Sequence, residues 1–408
     1  MRILIATVTA GGGHLAAAAA LDEAWRTLRP RDVVEQIDLV KFFSPLHRQI
    51  HAAGYVKLVE RAPELWGMIF ARTDNPKVAR RFNRIQRLFP GRSRLRFARL
   101  VEHFNPDAIL CTHYAPLEML GRMRTQQTDK PAPNPSKGGE RIDGRRAQVP
   151  LPGGVRGGFP LVVSVVTDFE AHALWMDAGV DLYCVAAEET KARLVARGAT
   201  AESVVAMGIP IAAKFSAKPD AHAIRKALGL RDDLPTLLVL SGGFGMGPVG
   251  KILRELDKVS REFQTVVVCG RNEELRRDLA AQDRQHPTRV LGFASNMHEL
   301  MAVADLIITK PGGLTSSEAL AMGKPLLILD PIPGQEAANS DFLLERGAAA
   351  KVNRVEDAPF KVEQLLTSNK LGELAKAARA LGRPHAAETI CREVLKRWQN
   401  FARPDEFV

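Results

Sequence analysis

The chain has 408 residues and a net charge of +11, and 46% hydrophobic with 25% charged residues is typical of globular proteins. This length predicts two domains of about 200 residues each. Membrane-spanning proteins are excluded because no apolar run reaches the ~18 residues that a membrane-spanning helix needs. The positive charge indicates an acidic partner (nucleic acid, anionic lipid or nucleotide), whereas four scattered cysteines without CxxC spacing argue against a disulfide framework or metal site.

The first predicted strand, residues 2–8, leads into a glycine turn, Gly11-Gly12-Gly13-His14, and a helix to about Leu28. A glycine turn between a first strand and a first helix suggests a dinucleotide site, but GGGH does not match the GxGxxG fingerprint. Asp38, at the end of the next strand, is the one residue that could bind a ribose there. Because the sequence enters a strand without a signal-peptide pattern, we expect a cytoplasmic protein.

Residues 41–100 contain 14 lysines and arginines against three acidic residues, an excess equal to the net charge of the whole chain. Aromatic and aliphatic residues are interleaved with the charges, as in a helix that lies on an anionic membrane surface. The basic residues at helical spacing are Arg80, Arg81, Arg84 and Arg87. A solvated basic face over core helices is the alternative. We expect no nucleic-acid partner, because no recognised nucleic-acid motif accompanies the charge.

Residues 125–160 are rich in Pro, Gly, Lys and Arg, and they predict a mobile insert because they cannot bury enough apolar surface. The strand at 161–166 then leads to Asp168 and His172. A carboxylate and an imidazole just past a buried strand are candidates for a general base and the group that orients it. The alternative is that Asp168 caps the following helix.

A second series of strands and helices begins near Pro219. Its first strand, 237–240, runs into a glycine-rich turn that contains Gly243 and Phe244, where backbone N–H groups can close on an anion. Arg271 follows the next strand and is a candidate for a phosphate contact. Phe293 lies at the end of the strand predicted at 290–294.

Residues 306–341 predict a strand, a Pro-Gly-Gly turn, a helix from Thr315 and a second strand at 325–329. Ser316 or Thr315 is expected near the helix N-cap. Such a turn lies where parallel sheets bind ligands, and free N–H groups at a helix start suit a phosphate. Glu318, one turn into the helix, is placed to accept two hydroxyl hydrogen bonds, as a ribose offers. The alternative is an ordinary turn with solvated polar residues.

The runs PGGLTSSEA and GQEAANS closely resemble the nucleotide-sugar site of UDP-sugar transferases that act on lipids. That family includes monogalactosyldiacylglycerol synthases, processive diacylglycerol glucosyltransferases and the lipid-linked N-acetylglucosaminyltransferase of peptidoglycan assembly. GGGH, the TDF-xx-H-xx-W pattern at 167–175, GIPI at 208–211 and the stretch YVKLVERAPELWGMIF resemble the same family. The family often has a glutamate where Phe244 stands, which leaves the choice of donor sugar open.

The resemblance implies a donor site with particular roles for its residues. Gly312, Gly313 and Thr315 face the diphosphate, and Glu318 holds the ribose. The polar residues of GQEAANS meet the sugar hydroxyls or the nucleotide. Arg271 contacts a phosphate and Phe293 borders the uracil. The full donor-binding set is Gly12, Gly13, Gly243, Phe244, Arg271, Phe293, Gly312, Gly313, Leu314, Thr315, Glu318, Gln335, Glu336 and Asn339.

The two halves predict an α/β chain of two doubly wound, Rossmann-like domains that face across a cleft, which the resemblance identifies with the GT-B fold. The predicted units are an N-terminal acceptor and membrane-binding domain (1–213), a C-terminal UDP-sugar domain (214–384) and a C-terminal helix (385–408) that packs back on the first domain. The resemblance places His14 at the cleft.

The implied reaction moves galactose or glucose from a UDP-sugar to 1,2-diacylglycerol with inversion, peripherally at the inner face of an anionic membrane. His14 is the first choice for the base because its unperturbed pKa is near working pH, and Asp168 is the second. No Asp-x-Asp occurs, so we expect neither a metal nor another cofactor. The alternatives are N-acetylglucosaminyl transfer to a polyprenyl-linked peptidoglycan precursor, a sugar-nucleotide epimerase and a non-enzymatic nucleotide-sugar sensor.

Overall fold

The computed structural model describes residues 1–9, 12–43, 62–75, 78, 91–128, 159–242, 248–329 and 331–402. The predictions for Arg80, Arg81, Arg84, Arg87, Gly243 and Phe244 lie outside these residues. Among the described residues, no helix combines the length and the apolar character needed to cross a bilayer.

The N-terminal half is built around a six-stranded parallel sheet with the order β2-β1-β3-β4-β5-β6. Its strands are β1 Arg2–Thr7, β2 Val33–Asp38, β3 Ala108–Cys111, β4 Leu161–Val165, β5 Leu182–Val185 and β6 Val204–Ala206. Its helices are α1 Gly12–Leu28, α2 Pro63–Thr73, α3 Gly91–Phe104, α4 Tyr114–Thr128 and α5 Glu188–Ala196. Strands β3 and β4 are buried along their whole length, as continuous apolar runs in parallel sheets generally are.

The C-terminal half repeats the design, with the strand order β12-β11-β10-β7-β8-β9. Its strands are β7 Thr236–Leu240, β8 Gln264–Val268, β9 Thr288–Leu291, β10 Leu306–Thr309, β11 Leu326–Leu329 and β12 Ala349–Val352. Its helices are α6 Ala221–Leu228, α7 Val249–Leu256, α8 Glu273–Ala280, α9 Met297–Val303, α10 Gly313–Ala321, α11 Gln335–Glu345, α12 Ala358–Thr367 and α13 Lys370–Leu381. The two parallel sheets confirm the predicted pair of doubly wound α/β domains.

The last helix, α14 Ala386–Ala402, packs on the N-terminal half. Its buried residues Ile390, Cys391 and Val394 contact the core around Leu21 and Trp25 of the first domain. All four cysteines are free and buried, in agreement with core thiols.

Each sheet has one switch point, where successive strands leave in opposite directions. In the N-terminal sheet this point lies between β1 and β3, and in the C-terminal sheet between β7 and β10. The loops that follow these four strands therefore open two crevices, the usual position of ligands in such sheets. His14 and His113 lie at the first crevice, and the Pro-Gly-Gly turn lies at the second.

Two element boundaries differ from the sequence prediction. Helix α4 continues to Thr128, so the insert predicted from residue 125 begins at least four residues later, and 129–158 lie outside the described residues. Helix α10 begins at Gly313 with Gly312 as its N-cap, which puts Thr315 and Ser316 inside the first turn. The N-cap prediction was wrong because the glycines themselves adopt the helix start.

Candidate active site

The two crevices face each other across a closed domain interface. A Cβ atom added to Gly313 would overlap the carbonyl oxygen of Thr167, so the Pro-Gly-Gly turn touches the backbone of the opposite domain. A Cβ added to Gly13 would lie 3.4 Å from the Leu314 side chain. The starts of α1 and α10 are therefore neighbours, and the residues that follow them form one composite site.

His14 stands at this junction, and its hydrogen bonds define its tautomer. Its Nδ1 lies 2.8 Å from the Thr112 carbonyl oxygen and 3.0 Å from Thr167 Oγ1. Because a carbonyl oxygen only accepts hydrogen bonds, Nδ1 carries the proton and Nε2 keeps its lone pair. Among the described residues none donates to Nε2, so this nitrogen can accept a proton from a substrate hydroxyl.

An aromatic cluster surrounds the His14 ring. The His113 ring packs edge-on against it at a centroid distance of 4.8 Å, and Trp175 lies 6.4 Å away. Tyr114 stacks on His113 at 4.2 Å. The N-terminal side of the site thus has an aromatic lining beside Nε2 of His14.

His14 and Asp168 influence each other electrostatically. Burial lowers the pKa of His14, and the charge of Asp168 opposes that shift. Burial raises the pKa of Asp168, against a hydrogen bond from Asn339 and the charge of His14. The neutral form of His14 is therefore favoured near neutral pH, which is the form a general base needs.

Asn339 is fully buried and makes three hydrogen bonds, two of which cross the domain interface. Its amide nitrogen donates to Asp168 Oδ1 at 3.0 Å and to the Pro311 carbonyl oxygen at 3.1 Å, and its oxygen accepts from the Phe169 N–H at 2.8 Å. Both amide hydrogens are used, so in this closed arrangement Asn339 holds protein groups rather than a sugar.

Glu318 lies one turn into α10 and is half-buried. Burial raises its pKa to about 7, and Lys214 opposes that shift. None of the described residues donates a hydrogen bond to this carboxylate. Its carboxylate oxygens can therefore accept hydrogen bonds from the two hydroxyls of a ribose.

The start of α10 lies one turn before Glu318 and has no side-chain cap. Its first N–H groups therefore point from the helix end without a side-chain partner, an arrangement suited to a phosphate. Arg271 and Phe293, at the ends of β8 and β9, pair through a cation–π contact of 5.6 Å. Phe293 is 65% exposed, so its ring can border a base at the same edge of the sheet.

Gln335 and Glu336 begin α11 on the sugar side of the predicted site. Glu336 Oε2 accepts a hydrogen bond from the Ile332 N–H at 2.9 Å, which closes the preceding loop. Gln335 Oε1 lies 3.4 Å from Trp66 Nε1 of α2. The contact with Trp66 was not predicted as part of the site, although a glycine inside a helix, Gly67, was an available signal of close packing.

His172 does not act as predicted. Its Nε2 lies 3.0 Å from the Phe70 carbonyl oxygen, and its Nδ1 accepts from the Leu174 N–H at 3.1 Å. Both ring nitrogens are thus occupied away from Asp168, because the residues after β4 turn toward α2. His172 is also the residue that caps the short helix at 173–175, and Asp168 is not.

Asp38 was the weak candidate for a ribose contact in the first domain. Its carboxylate accepts hydrogen bonds from the Thr9 N–H, the Thr9 hydroxyl and the Val40 N–H. These bonds shape the turns after β1 and β2 and use the acceptor groups that a ribose would need.

Comparisons with known proteins match both halves of the chain. Residues 14–135 and 156–211 match the family model of monogalactosyldiacylglycerol synthase, and residues 238–390 match the glycosyltransferase family 28 C-terminal domain. The chain is 30% identical over 398 residues to the processive diacylglycerol beta-glucosyltransferase of Bacillus pumilus, an alignment that covers 97% of this chain and 94% of the relative.

Two solved structures resemble the chain at low sequence identity. One is MurG of Acinetobacter baumannii, with a TM-score of 0.57 and 16% identity over 97% of this chain and 100% of that one. The other is the UDP-GlcNAc 2-epimerase of Neisseria meningitidis bound to UDP-GlcNAc, with a TM-score of 0.59 and 13% identity over the same shares. These likenesses confirm the predicted GT-B fold.

Proposed function

Because this chain belongs to the family of monogalactosyldiacylglycerol synthases and processive diacylglycerol beta-glucosyltransferases, we propose that it transfers a hexose from a UDP-sugar to 1,2-diacylglycerol. The relatives support the acceptor, since they are named processive diacylglycerol beta-glucosyltransferases. The same names favour glucose over galactose. No described residue distinguishes the two sugars.

The observation that carries the donor proposal is the pairing of Glu318 with the start of α10. A half-buried carboxylate that receives no hydrogen bond from the described residues and an uncapped helix start, one turn apart, match a ribose followed by a diphosphate. Arg271 and Phe293 at the neighbouring strand ends supply a cation and an aromatic ring for the rest of the nucleotide.

In the proposed reaction, Nε2 of His14 takes the proton from the free hydroxyl of diacylglycerol. The hydroxyl oxygen attacks the anomeric carbon from the face opposite the diphosphate and forms the glycosidic bond. The bond to the diphosphate breaks, its electron pair leaves with UDP, and the configuration at the anomeric carbon inverts. Backbone N–H groups at the glycine turns stabilise the negative charge that grows on the leaving group, without a metal ion.

Asp168 serves His14 rather than the substrate in this proposal. Its negative charge favours the imidazolium that forms when the hydroxyl proton arrives, and Asn339 fixes its position. The aromatic cluster of His113, Tyr114 and Trp175 gives the lipid acceptor an apolar contact surface. The basic sequence of residues 41–100 supports a reaction at an anionic membrane surface.

The test is to incubate the full-length protein with vesicles of diacylglycerol and phosphatidylglycerol and with UDP-glucose, UDP-galactose or UDP-N-acetylglucosamine in turn. We expect mass spectrometry to show hexose added to diacylglycerol, β-linked by NMR, at a rate that EDTA leaves unchanged. The proposal fails if UDP binds and diacylglycerol is never glycosylated. Parallel vesicles that hold a polyprenyl-linked peptidoglycan precursor test the alternative activity, which transfer of N-acetylglucosamine to that precursor would assign.

A further inference from the structure

Helix α2, Pro63–Thr73, belongs to the N-terminal half but rests on the sugar end of the donor site. Its inner face carries Trp66, Gly67 and Phe70, at helical spacing. Trp66 Nε1 reaches Gln335 at 3.4 Å, at the start of α11. The helix therefore touches the loop that the proposed function assigns to the donor sugar.

Two glycines allow this contact. A Cβ atom added to Gly67 would lie 2.8 Å from Cβ of Pro333, and one added to Gly334 would lie 2.7 Å from the Phe70 ring. Gly334 also has a φ of +97°, a backbone angle that residues with a side chain rarely adopt. Helix and loop thus interlock at two points, each of which has room for no larger residue.

The far end of α2 is tied to the segment that follows β4. Asp74, its C-cap, accepts two hydrogen bonds from the Arg197 guanidinium at 2.9 and 2.6 Å. It also accepts one from the Ala173 N–H at 2.8 Å, and His172 contacts the Phe70 carbonyl oxygen. A displacement of α2 would therefore move both the sugar loop and the segment next to Asp168.

The outer face of α2 is apolar and exposed. Leu65, Met68 and Ile69, at positions i, i+3 and i+4, are 44%, 64% and 38% exposed. The eight large apolar side chains that are exposed in the described part of the chain include five between residues 65 and 95. Three exposed apolar side chains next to one another on one helix face indicate an interaction surface, because exposed apolar residues ordinarily occur singly.

We propose that α2 couples docking on an anionic lipid bilayer to closure of the sugar end of the donor site. The occupant of its outer face is the bilayer, since α2 lies within the segment that has 14 basic and three acidic residues and Arg72 stands beside the apolar positions. The inference rests on the proposed function, whose acceptor resides in that bilayer. When α2 is docked on the bilayer it contacts Pro333 and Gln335, so docking and donor binding stabilise the same closed position of α2 against the sugar loop.

The experiment uses two full-length variants and a matched control. The outer variant is Leu65→Gln with Met68→Gln and Ile69→Gln, the inner variant is Gly67→Ala, and the control is Phe360→Gln, which removes a 71% exposed apolar side chain on α12. Circular dichroism checks the fold of each. Vesicle sedimentation measures docking, and calorimetry measures UDP affinity with and without phosphatidylglycerol–phosphatidylcholine vesicles.

In the unchanged protein and in Phe360→Gln, anionic vesicles should tighten UDP binding about fivefold or more, and UDP should tighten vesicle binding by the same factor. The outer variant should lose about tenfold or more in vesicle affinity, and with it the effect on UDP. The inner variant should still bind vesicles, but without the tighter UDP binding. An outer variant that docks and responds normally, or unchanged UDP affinity on vesicles in the unchanged protein, overturns the proposal.

A second readout separates this inference from the proposed function. Vesicles should slow amide hydrogen exchange in α2 and in residues 332–338 together, and this measurement needs neither transfer nor a nucleotide. If exchange slows in both segments while diacylglycerol is never glycosylated, the proposed function fails and the coupling stands. If diacylglycerol is glycosylated but exchange in residues 332–338 does not change, the coupling fails alone.

Discussion

The Nδ1 atom of His14 lies 2.8 Å from the carbonyl oxygen of Thr112. Thr112 follows β3 and His14 follows β1, so the two strands on either side of the switch point jointly set the orientation of the imidazole. This contact leaves Nε2 as the nitrogen with a lone pair. The chemistry assigned to the site depends on that nitrogen.

His14→Asn should abolish transfer and leave UDP binding nearly intact. The asparagine amide can still donate to Thr112 but offers no basic nitrogen, so a rate loss of about 10³-fold is expected from the missing proton transfer. Single-turnover kinetics and calorimetry with UDP separate the two effects. An equal loss of transfer and UDP affinity would contradict the assignment.

The pH profile should show the lowered pKa of His14. Burial shifts it below the ordinary value of 6.5, and the neutral imidazole is the active form, so the rate should fall only below that pH. Asp168→Asn removes the charge that opposes this shift, so the pKa of His14 should fall further. The acidic limb of the pH profile should then move to lower pH, and His14 should be a weaker base. A limb that stays in place would mean that Asp168 does not act on His14.

Glu318→Gln should affect affinity and stability in opposite directions. The pKa of Glu318 in the folded protein, about 7, exceeds its ordinary value of 4.5. The free energy of unfolding therefore falls as the pH rises from about 4.5 to about 7. Glu318→Gln removes the cost of ionising this side chain in the folded protein, so it should stabilise the unliganded protein by roughly 1 to 3 kcal/mol at pH 8. UDP affinity should fall about tenfold or more, because an ionised acceptor for the ribose is missing.

Thermal unfolding at pH 6 and pH 8, with and without UDP, measures both effects. In the unchanged protein UDP affinity should rise between these two values as Glu318 ionises. Equal UDP affinity in the variant and the unchanged protein at pH 8 would remove Glu318 from the nucleotide site.

Asn339→Ala distinguishes an interface clamp from a sugar contact. The change leaves the Phe169 N–H and the Pro311 carbonyl oxygen buried without their partner, so a stability loss of roughly 2 to 4 kcal/mol in urea unfolding is expected. The pKa of Asp168 should rise further, since a hydrogen bond to its ionised form is lost. A variant that loses donor affinity at unchanged stability would instead support the sugar contact implied by the sequence resemblance.

The sequence predicted local features well because they depend on local physics. Apolar runs marked strands such as β4 and β10, and glycines marked the turns that follow them. It placed the strand around Val290 two or more residues too late, because β9 begins with the partly exposed Thr288 and the exposed Arg289. It missed β12, whose Lys351 interrupts a short apolar stretch.

Contacts between the domains could not be predicted in the same way. Asn339 and Asp168 are 171 residues apart in the chain, and each carries a polar side chain that is compatible with several roles. Only the closed arrangement shows that Asn339 holds Asp168, and that His172 holds α2. The polarity of a residue thus predicted its place near the cleft, and the partner across the interface decided its role.

Gly313 and Gly312 offer a test of domain closure within one turn. A Cβ at Gly313 would overlap the Thr167 carbonyl oxygen, whereas a Cβ at Gly312 meets nothing within 4 Å. Gly313→Ala should therefore hold the domains apart, keep UDP binding in the C-terminal half and lose about 100-fold or more in rate, since a displacement of about 1 Å has that effect on aligned groups. Gly312→Ala should close normally and weaken UDP binding, because its methyl group faces the proposed diphosphate. Small-angle X-ray scattering in the presence of UDP measures domain closure. A Gly313→Ala protein that closes and transfers sugar at the normal rate would show that the Gly313–Thr167 contact is not part of the active arrangement.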